Sequence, residues 1–524
     1  MILGTLCLAG AGAATARPNW LSAAESRLQA LEGRPVLRWA PVALLGVGIP
    51  LLVCTLKAAQ YATFQLQVDT GVHGNIAWNL AHNHGLISSV YGEYNYLGIR
   101  FALTGALLAP LLRVWPNVMA LVLTQAAAVG STILGIYLLG RLHCRSLIAA
   151  WTLALLVWAN PFFHDVAASF MDSNQLALPL FIWGAYFFES RRIPAAAVCA
   201  VLFMLTREQA PFAFLGVGML VLRLGRGRMQ KFAGAGIMGG SILCWLAMLA
   251  IERRVRGAYA MPEMVLWRQY YPSFGSTSAE VLRTLVHRPW IVVTSLCYPF
   301  AKMLVPARVI LSLALLPLAA GAYFLPAVTV WLPQQMSDDF AFQHMVWGHY
   351  AAMVAGPLFW ACAHGLRRLL DIHGRQSRAI AWVLLVSSAC FFASSSFLPG
   401  EEARIVETWG DSLRLATRTV PPQAKVWSDG LLVPYFCMRR YVRNLPDTAQ
   451  DEFFEKNLFM PDRVILSRRW LALSERFTRS RVLAFLTGHR YTVAYRDENL
   501  LVLANPTAPS DCSEPVQWTN LPSP

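Results

Sequence analysis

Asp69, Asp172, Arg207 and Glu208 stand in or beside long apolar runs. An ionisable group in such a place is costly unless it faces a polar cavity or a partner. A carboxylate at the edge of an apolar body has its pKa raised toward working pH, which makes Asp69 a candidate general base. The competing reading is local: Asp69, followed by Thr70, Gly71 and an amphipathic run, also has the form of a helix N-cap. Arg207 and Glu208 lie in the short hairpin 206–209 and read either as a structural ion pair or as an anion site. His164, Asp165 and Asp172 lie in 161–173, and Gln334, Gln335, Asp338, Asp339, His344 and His349 in 332–349, with Tyr350 just beyond. Their spacing matches no tight metal-ligand motif, so a divalent cation is admitted as a cofactor and not required.

The elements that must hold these residues follow from composition. The chain has 524 residues, of which 56% are hydrophobic and only 14% charged, and its mean hydropathy is +0.45. Such a balance excludes a soluble enzyme. Apolar stretches recur from residue 39 to residue 397, and the first convincing span is 39–56. Residues 1–16 are apolar but lack a basic flank before them, so a cleaved signal peptide is not expected. Arg17, Arg27, Arg34 and Arg38 precede the first span and place segment 1–38 in the cytoplasm by the positive-inside rule. The basic gaps at Arg141 and Arg145, Arg191 and Arg192, 223–231, Lys302 and Arg308, and 367–378 are then internal as well. Alternation leaves 58–99, 161–173, 206–209, 253–288, 332–349 and everything after 397 outside. Two places resist this scheme. Residues 100–139 show two apolar segments around Arg113, Trp115 and Pro116 where parity requires one crossing or three, and Arg253, Arg254 and Arg256 would be external. Several spans are shorter than the roughly 20 residues of a full crossing, which suggests broken helices lining a cavity.

The net charge of +15 therefore reports topology rather than a nucleic-acid partner. Of the 44 basic residues only Lys57, Lys231, Lys302, Lys425 and Lys456 are lysine. The 10 cysteines show no zinc spacing; Cys437 and Cys512 are the pair in the tail that an oxidising compartment would allow to bridge.

In the first outer loop, a helix after Gly71 would put Asn75, Asn79 and His82 on one face and Val72, Ile76 and Leu80 on another, as in a helix lying along a membrane surface. Beyond residue 397 the composition becomes that of a soluble domain. A helix is expected over 407–418 and strands over 424–427, 463–467, 491–495 and 500–504, the last two joined by a turn at 496–499. Arg439, Arg440 and Tyr441 read as a solvated face or as an acceptor or lipid-head contact. Carboxylates, imidazoles and arginines outside a hydrophobic body suit a substrate with an anionic head and a long apolar tail, such as a polyprenyl-phosphate-linked sugar. A transporter would show similarly broken helices in two related halves, and no such internal repeat is visible.

Several short motifs carry a family resemblance. Asp69-x-Gly71, Ala77-Trp78-Asn79 and Gly85, then Asp172 leading into Leu176 to Leu180, then Leu205-Thr206-Arg207-Glu208, and finally Val433-Pro434 with Arg439-Arg440-Tyr441 resemble, in that order, the bacterial domain-of-unknown-function 2079 family of predicted membrane proteins. The resemblance runs from about residue 60 to 505. That family is in turn similar to the GT-C superfamily of multi-spanning glycosyltransferases, which use lipid-linked sugars and place an acid in the first external loop. The resemblance makes Asp69 the leading candidate for the acceptor-activating base. The chain departs from the pattern where Thr70 follows Asp69, where Gln209 follows Glu208, and where Phe170-Met171-Asp172-Ser173 replaces an Asp-Phe-His-Pro run.

The resulting expectation is an all-α polytopic membrane protein of the bacterial inner membrane, GT-C-like, with about 11 to 13 transmembrane helices. Its membrane domain would span 39–397, with 58–99 as first external loop, and a small extracytoplasmic α/β domain would occupy 398–524. The expected reaction moves a sugar from a polyprenyl-phosphate donor to an acceptor glycan, lipid or protein in the cell envelope. Asp69 and Asp172 would be catalytic, and Arg100, Arg207, Glu208, His344 and His349 would bind substrate. The alternative is a non-catalytic lipid or polysaccharide transporter or an envelope assembly protein.

Overall fold

The computed structural model describes residues 2–16, 20–34, 37–62, 65–90, 92–169, 171–259, 270–275, 277–338, 350–372, 376–393, 409–445, 459–474, 476–507 and 514–515. Most of this chain is helix, and the body is built where apolar sequence is interrupted by caps and prolines. Among the described residues, Ala40–Ala62, Val118–Cys144 and Arg228–Ala258 are each long and apolar enough to cross a membrane. Two further candidates are bent pairs: Leu147–Ala159 with Pro161–Ala168 turns by 57°, and Trp290–Cys297 with Ala301–Ser312 by 68°. Asn160 makes the first of these breaks, because its side chain accepts a hydrogen bond from the Phe162 N–H and so starts a new helix ahead of Pro161. Ile193–Met204, Pro211–Leu224 and Gln376–Phe391 are apolar but shorter.

Segment 100–139 resolves into one long helix. The side chain of Asn117 caps Val118–Cys144, whose 27 residues run about 40 Å, while the apolar stretch before it forms only short turns at Ala106–Leu108 and Ala109–Val114. The middle and far part of this helix packs with Leu147–Ala159, Ala177–Glu189 and Ala351–Leu370 in the larger hydrophobic core.

The tail carries a six-stranded sheet, and the segment before the long helix a small hairpin of β1 (Ile87–Ser88) and β2 (Tyr94–Asn95). The tail strands are β3 (Val426–Asp429), β4 (Val442–Leu445), β5 (Arg463–Ser467), β6 (Thr492–Arg496), β7 (Leu500–Ala504) and β8 (Glu514–Pro515). Their order is β4-β3-β5-β7-β6-β8, with β3 parallel to β4 and β5 and the remaining pairs antiparallel. The expected turn between β6 and β7 is there: Asp497 closes it by accepting from the Asn499 and Leu500 N–H groups. One hydrophobic cluster, with Trp427, Val464, Leu486 and Leu503, belongs to the tail alone. The other, with Val426, Val433, Phe436 and Ile465, is continuous with Leu66, Val72, Ile76 and Leu121, so the tail and the Val68–Ala81 region share a core.

That shared core overturns the surface-helix reading of the first loop. The helix is Val68–Ala81, and its asparagine face points into the tail. Asn75 Nδ2 donates to the carbonyls of Cys437 (3.2 Å) and Arg439 (2.6 Å), while its Oδ1 accepts from the Ser89 N–H at 2.9 Å. The buried Asn75 amide is tolerated because both its oxygen and its nitrogen find partners. Arg439 is likewise no solvated face: it is buried and donates to the carbonyls of Phe436, Pro421 and Ala424. Cys437 is buried with a free thiol, and Cys512 lies outside the described residues.

Candidate active site

Asp69 is not a cap. The N-cap of its helix is Gln67, and Asp69 sits in the first turn, where a carboxylate meets the positive end of the helix dipole. Thr70 ties two segments together, because its Oγ1 accepts from the Met171 N–H at 3.1 Å. This brings the next residue, Asp172, to the same place. The Asp172 N–H donates to Gln125 Oε1 of the long helix at 3.2 Å, and its carboxylate caps the Ser173–Leu176 turn by accepting from the Asn174 N–H at 2.8 Å.

Between the two acids stands His73, one turn after Asp69. Its Nε2 is 3.6 Å from Asp172 Oδ1 and 3.4 Å from the Tyr96 hydroxyl. Burial, and next the charge of Asp172, hold the Asp69 carboxyl above its ordinary pKa; His73 and Arg100 pull the other way. Burial also raises Glu208, against the attraction of Arg100.

Arg100 lies on a non-helical segment clamped from two sides. The Phe101 N–H donates to Glu252 Oε1 at 2.8 Å and Arg256 Nε to the Gly98 carbonyl at 3.0 Å, both from the Arg228–Ala258 helix. The Leu103 and Thr104 N–H groups both donate to the Leu205 carbonyl, at 2.8 and 3.1 Å. Glu252 and Arg256 thereby explain part of the basic run that resists the charge rule. The Leu205 anchor sets Arg207 and Glu208 beside Arg100. Arg100 hydrogen-bonds Tyr350, whose ring lies 5.0 Å from the Arg207 guanidinium and whose hydroxyl senses Asp172 and Asp69.

Arg207 is only 3% exposed, and its Nε stands 3.7 Å from Glu208 Oε1, an ion pair too long for a hydrogen bond. Among the described residues, Arg207 Nε and Nη1 and Glu208 Oε2 have no hydrogen-bond partner. A buried guanidinium with idle donors is the chemistry of an anion site. An apolar groove of 520 Å³ runs between Ile193–Met204, Pro211–Leu224 and Arg228–Ala258 and reaches Leu205, two positions before Arg207 in the chain. Phe101 and Leu205, the neighbours of Arg100 and Thr206, line its wall with Met204, Phe214 and Met248.

The structure thus brings together Asp69, Asp172, Arg100, Arg207 and Glu208, whereas His344 and His349 lie outside the described residues. His73, Tyr96 and Glu252 also stand at the site, with no role there expected from the sequence. His73 was legible in part, since four residues after Asp69 is one helical turn; Tyr96 and Glu252 reach the site only through the fold. Among the described residues, Asp69 and Asp172 have no third His, Cys or acid completing a close ligand triad around them.

A body of long apolar helices, a Val68–Ala81 helix packed on a tail domain, and a buried acid–arginine cluster at their junction define the fold and its candidate site. The chain belongs to the DUF2079 family of predicted membrane proteins, which matches residues 60–502. Among solved structures it is similar to ArnT from Cupriavidus metallidurans in the apo state, at 12% identity and a TM-score of 0.48, over 88% of this chain and 97% of that one. Comparison with curated proteins gave no match.

Proposed function

We propose that the protein is a membrane glycosyltransferase that takes its sugar from a polyprenyl-phosphate donor in the bacterial inner membrane, with the tail domain on the extracytoplasmic side. The observation that carries this reading is Arg207: a guanidinium 3% exposed, with idle donors, two positions along the chain from Leu205, which lines an apolar groove. The groove takes the start of the lipid tail, and Arg207 with Arg100 takes the phosphate.

In this reading Asp69 accepts the proton of the acceptor hydroxyl as that oxygen bonds to the anomeric carbon. The bond from that carbon to the phosphate oxygen breaks in the same displacement, the configuration inverts, and polyprenyl phosphate leaves with its added charge held by the arginines. Glu208 orients Arg207. Asp172 holds His73 and adds negative charge near Asp69, which together with burial raises the Asp69 pKa above its ordinary value.

The test is release of polyprenyl phosphate by the purified full chain given polyprenyl-phosphate sugars and envelope acceptors. Turnover that disappears in Asp69→Asn, with the fold retained, supports the reading. Lipid movement across vesicles that depends on Arg207 without any sugar release would replace it with a transporter.

A further inference from the structure

A second cluster of ionisable side chains lies at the other end of the body. The Val118–Cys144 helix carries Gln125 at the candidate active site and His143 in its last turn, 18 residues on by number and therefore about 27 Å away. There His143 Nε2 hydrogen-bonds Glu189 Oε2, and His364 Nε2 lies 2.9 Å from Glu189 Oε1. The three side chains come from Val118–Cys144, Ala177–Glu189 and Ala351–Leu370 and are 9, 12 and 7% exposed.

The choice of partners is informative. Arg141, Arg145, Arg191, Arg192, Arg367 and Arg368 all stand within four residues of the three along the chain. A carboxylate that needed only a counter-ion would be served better by a guanidinium, which binds it in a charged, bidentate fork. Arg141 instead pairs with Glu32 at 2.6 Å and Arg367 with Asp371 at 3.8 Å, and Glu189 is left facing two imidazoles by the same ring nitrogen. One ligand atom from each of the three residues lies within 4.8 Å of the others. Zinc–nitrogen and zinc–oxygen bonds of about 2.0–2.2 Å put tetrahedral ligands roughly 3.3–3.5 Å apart, so small side-chain shifts suffice to admit an ion. The surroundings also hold the ligands in place. Trp360 Nε1 donates to Glu189 Oε1 at 2.8 Å, and the Tyr323 ring stacks on His364 with centroids 3.5 Å apart and planes 11° apart. Outer contacts of this kind fix ring orientation at metal sites.

We propose that His143, Glu189 and His364 bind a divalent transition-metal ion of the zinc class, joining three core helices at the end of the body remote from Asp69. Two imidazoles and a carboxylate are a zinc ligand set that leaves a fourth position for water. The ion braces the same long helix whose other half holds Asp172 through Gln125.

The experiment uses the full chain purified in detergent without a polyhistidine tag. Metal is counted by mass spectrometry after dialysis, and the chelator-treated protein is titrated with Zn²⁺ and with Co²⁺. The expected result is one equivalent of bound metal, a Zn²⁺-dependent rise in thermal midpoint, and a visible Co²⁺ band. His143→Gln and His364→Gln retain an N–H donor for Glu189 and so preserve a simple hydrogen-bonded clamp, but they should weaken metal uptake by at least about tenfold. A wild-type protein with no retained metal, no midpoint shift and no Co²⁺ band overturns the proposal, as does uptake unchanged in both variants. Should the variants fail to fold, the wild-type Co²⁺ spectrum decides by the presence or absence of the band.

Discussion

Gly71 packs directly against Val433: a Cβ at position 71 would collide with Val433 Cγ1 and stand 3.1 Å from the Pro434 nitrogen. Two short motifs more than three hundred and fifty positions apart by number are thus the two sides of one contact. Gly74, one turn on, meets Cys437 and Met438 in the same way, so the first turns of the Asp69 helix are held by the tail.

Gly71→Ala should therefore destabilise the protein by about 1–3 kcal/mol, the usual cost of overpacking a close contact. Thermal unfolding in detergent measures it. Because the same helix carries Asp69, turnover should fall too.

Loss of the base is separable from loss of the fold. Asp69→Asn should lower kcat by about 10²–10⁴. A carboxyl whose folded pKa lies above its unfolded value binds its proton more tightly when folded, so it subtracts stability as pH rises through that interval. Since Asp69 is shifted in that direction, Asp69→Asn should leave the thermal midpoint at neutral pH unchanged or higher. A lower midpoint together with lost activity would point to a structural role.

The pH profile of kcat/KM should rise with an acid limb above the ordinary aspartate pKa of about 3.9, since the base acts when ionised. Burial is the largest cause of the upward shift and Asp172 the next. Asp172→Asn should move that limb to lower pH, because it removes a neighbouring negative charge. An unmoved limb would show that a group other than Asp69 titrates.

Arg207→Met should reduce donor turnover by about 10²–10³, the effect of removing one donor to a developing oxyanion. Glu208 would then be buried without its partner, so the single variant should also lose stability. Arg207→Met combined with Glu208→Gln should recover the thermal midpoint and not the activity.

Gly240→Trp places a large ring in the apolar groove where a Cβ meets no neighbour. KM for long polyprenyl donors should rise by tenfold or more, corresponding to about 1.4 kcal/mol of lost binding, while short-chain analogues should be little affected. Equal effects on both would place the lipid elsewhere.

Much of this protein is legible from local pattern. Apolar run length identifies the helical body, short apolar runs bounded by turn residues find the fully buried β5 and β7, and the cost of burying charge singles out Asp69, Arg207 and Glu208. Those signals are carried by residues close together in the chain. They fail for the asparagine face of Val68–Ala81, because amphipathicity states that one face is polar and not whether water or another domain satisfies it.

What only the tertiary structure decides is which distant groups meet. Asn75 finds the carbonyls of Cys437 and Arg439, and Thr70 carries Asp172 to His73. His143, Glu189 and His364 converge from three helices whose spacing resembles no ligand motif. Helix packing brings them together, and a sequence read one element at a time cannot see that, since each imidazole on its own looks like an ordinary residue at a helix end.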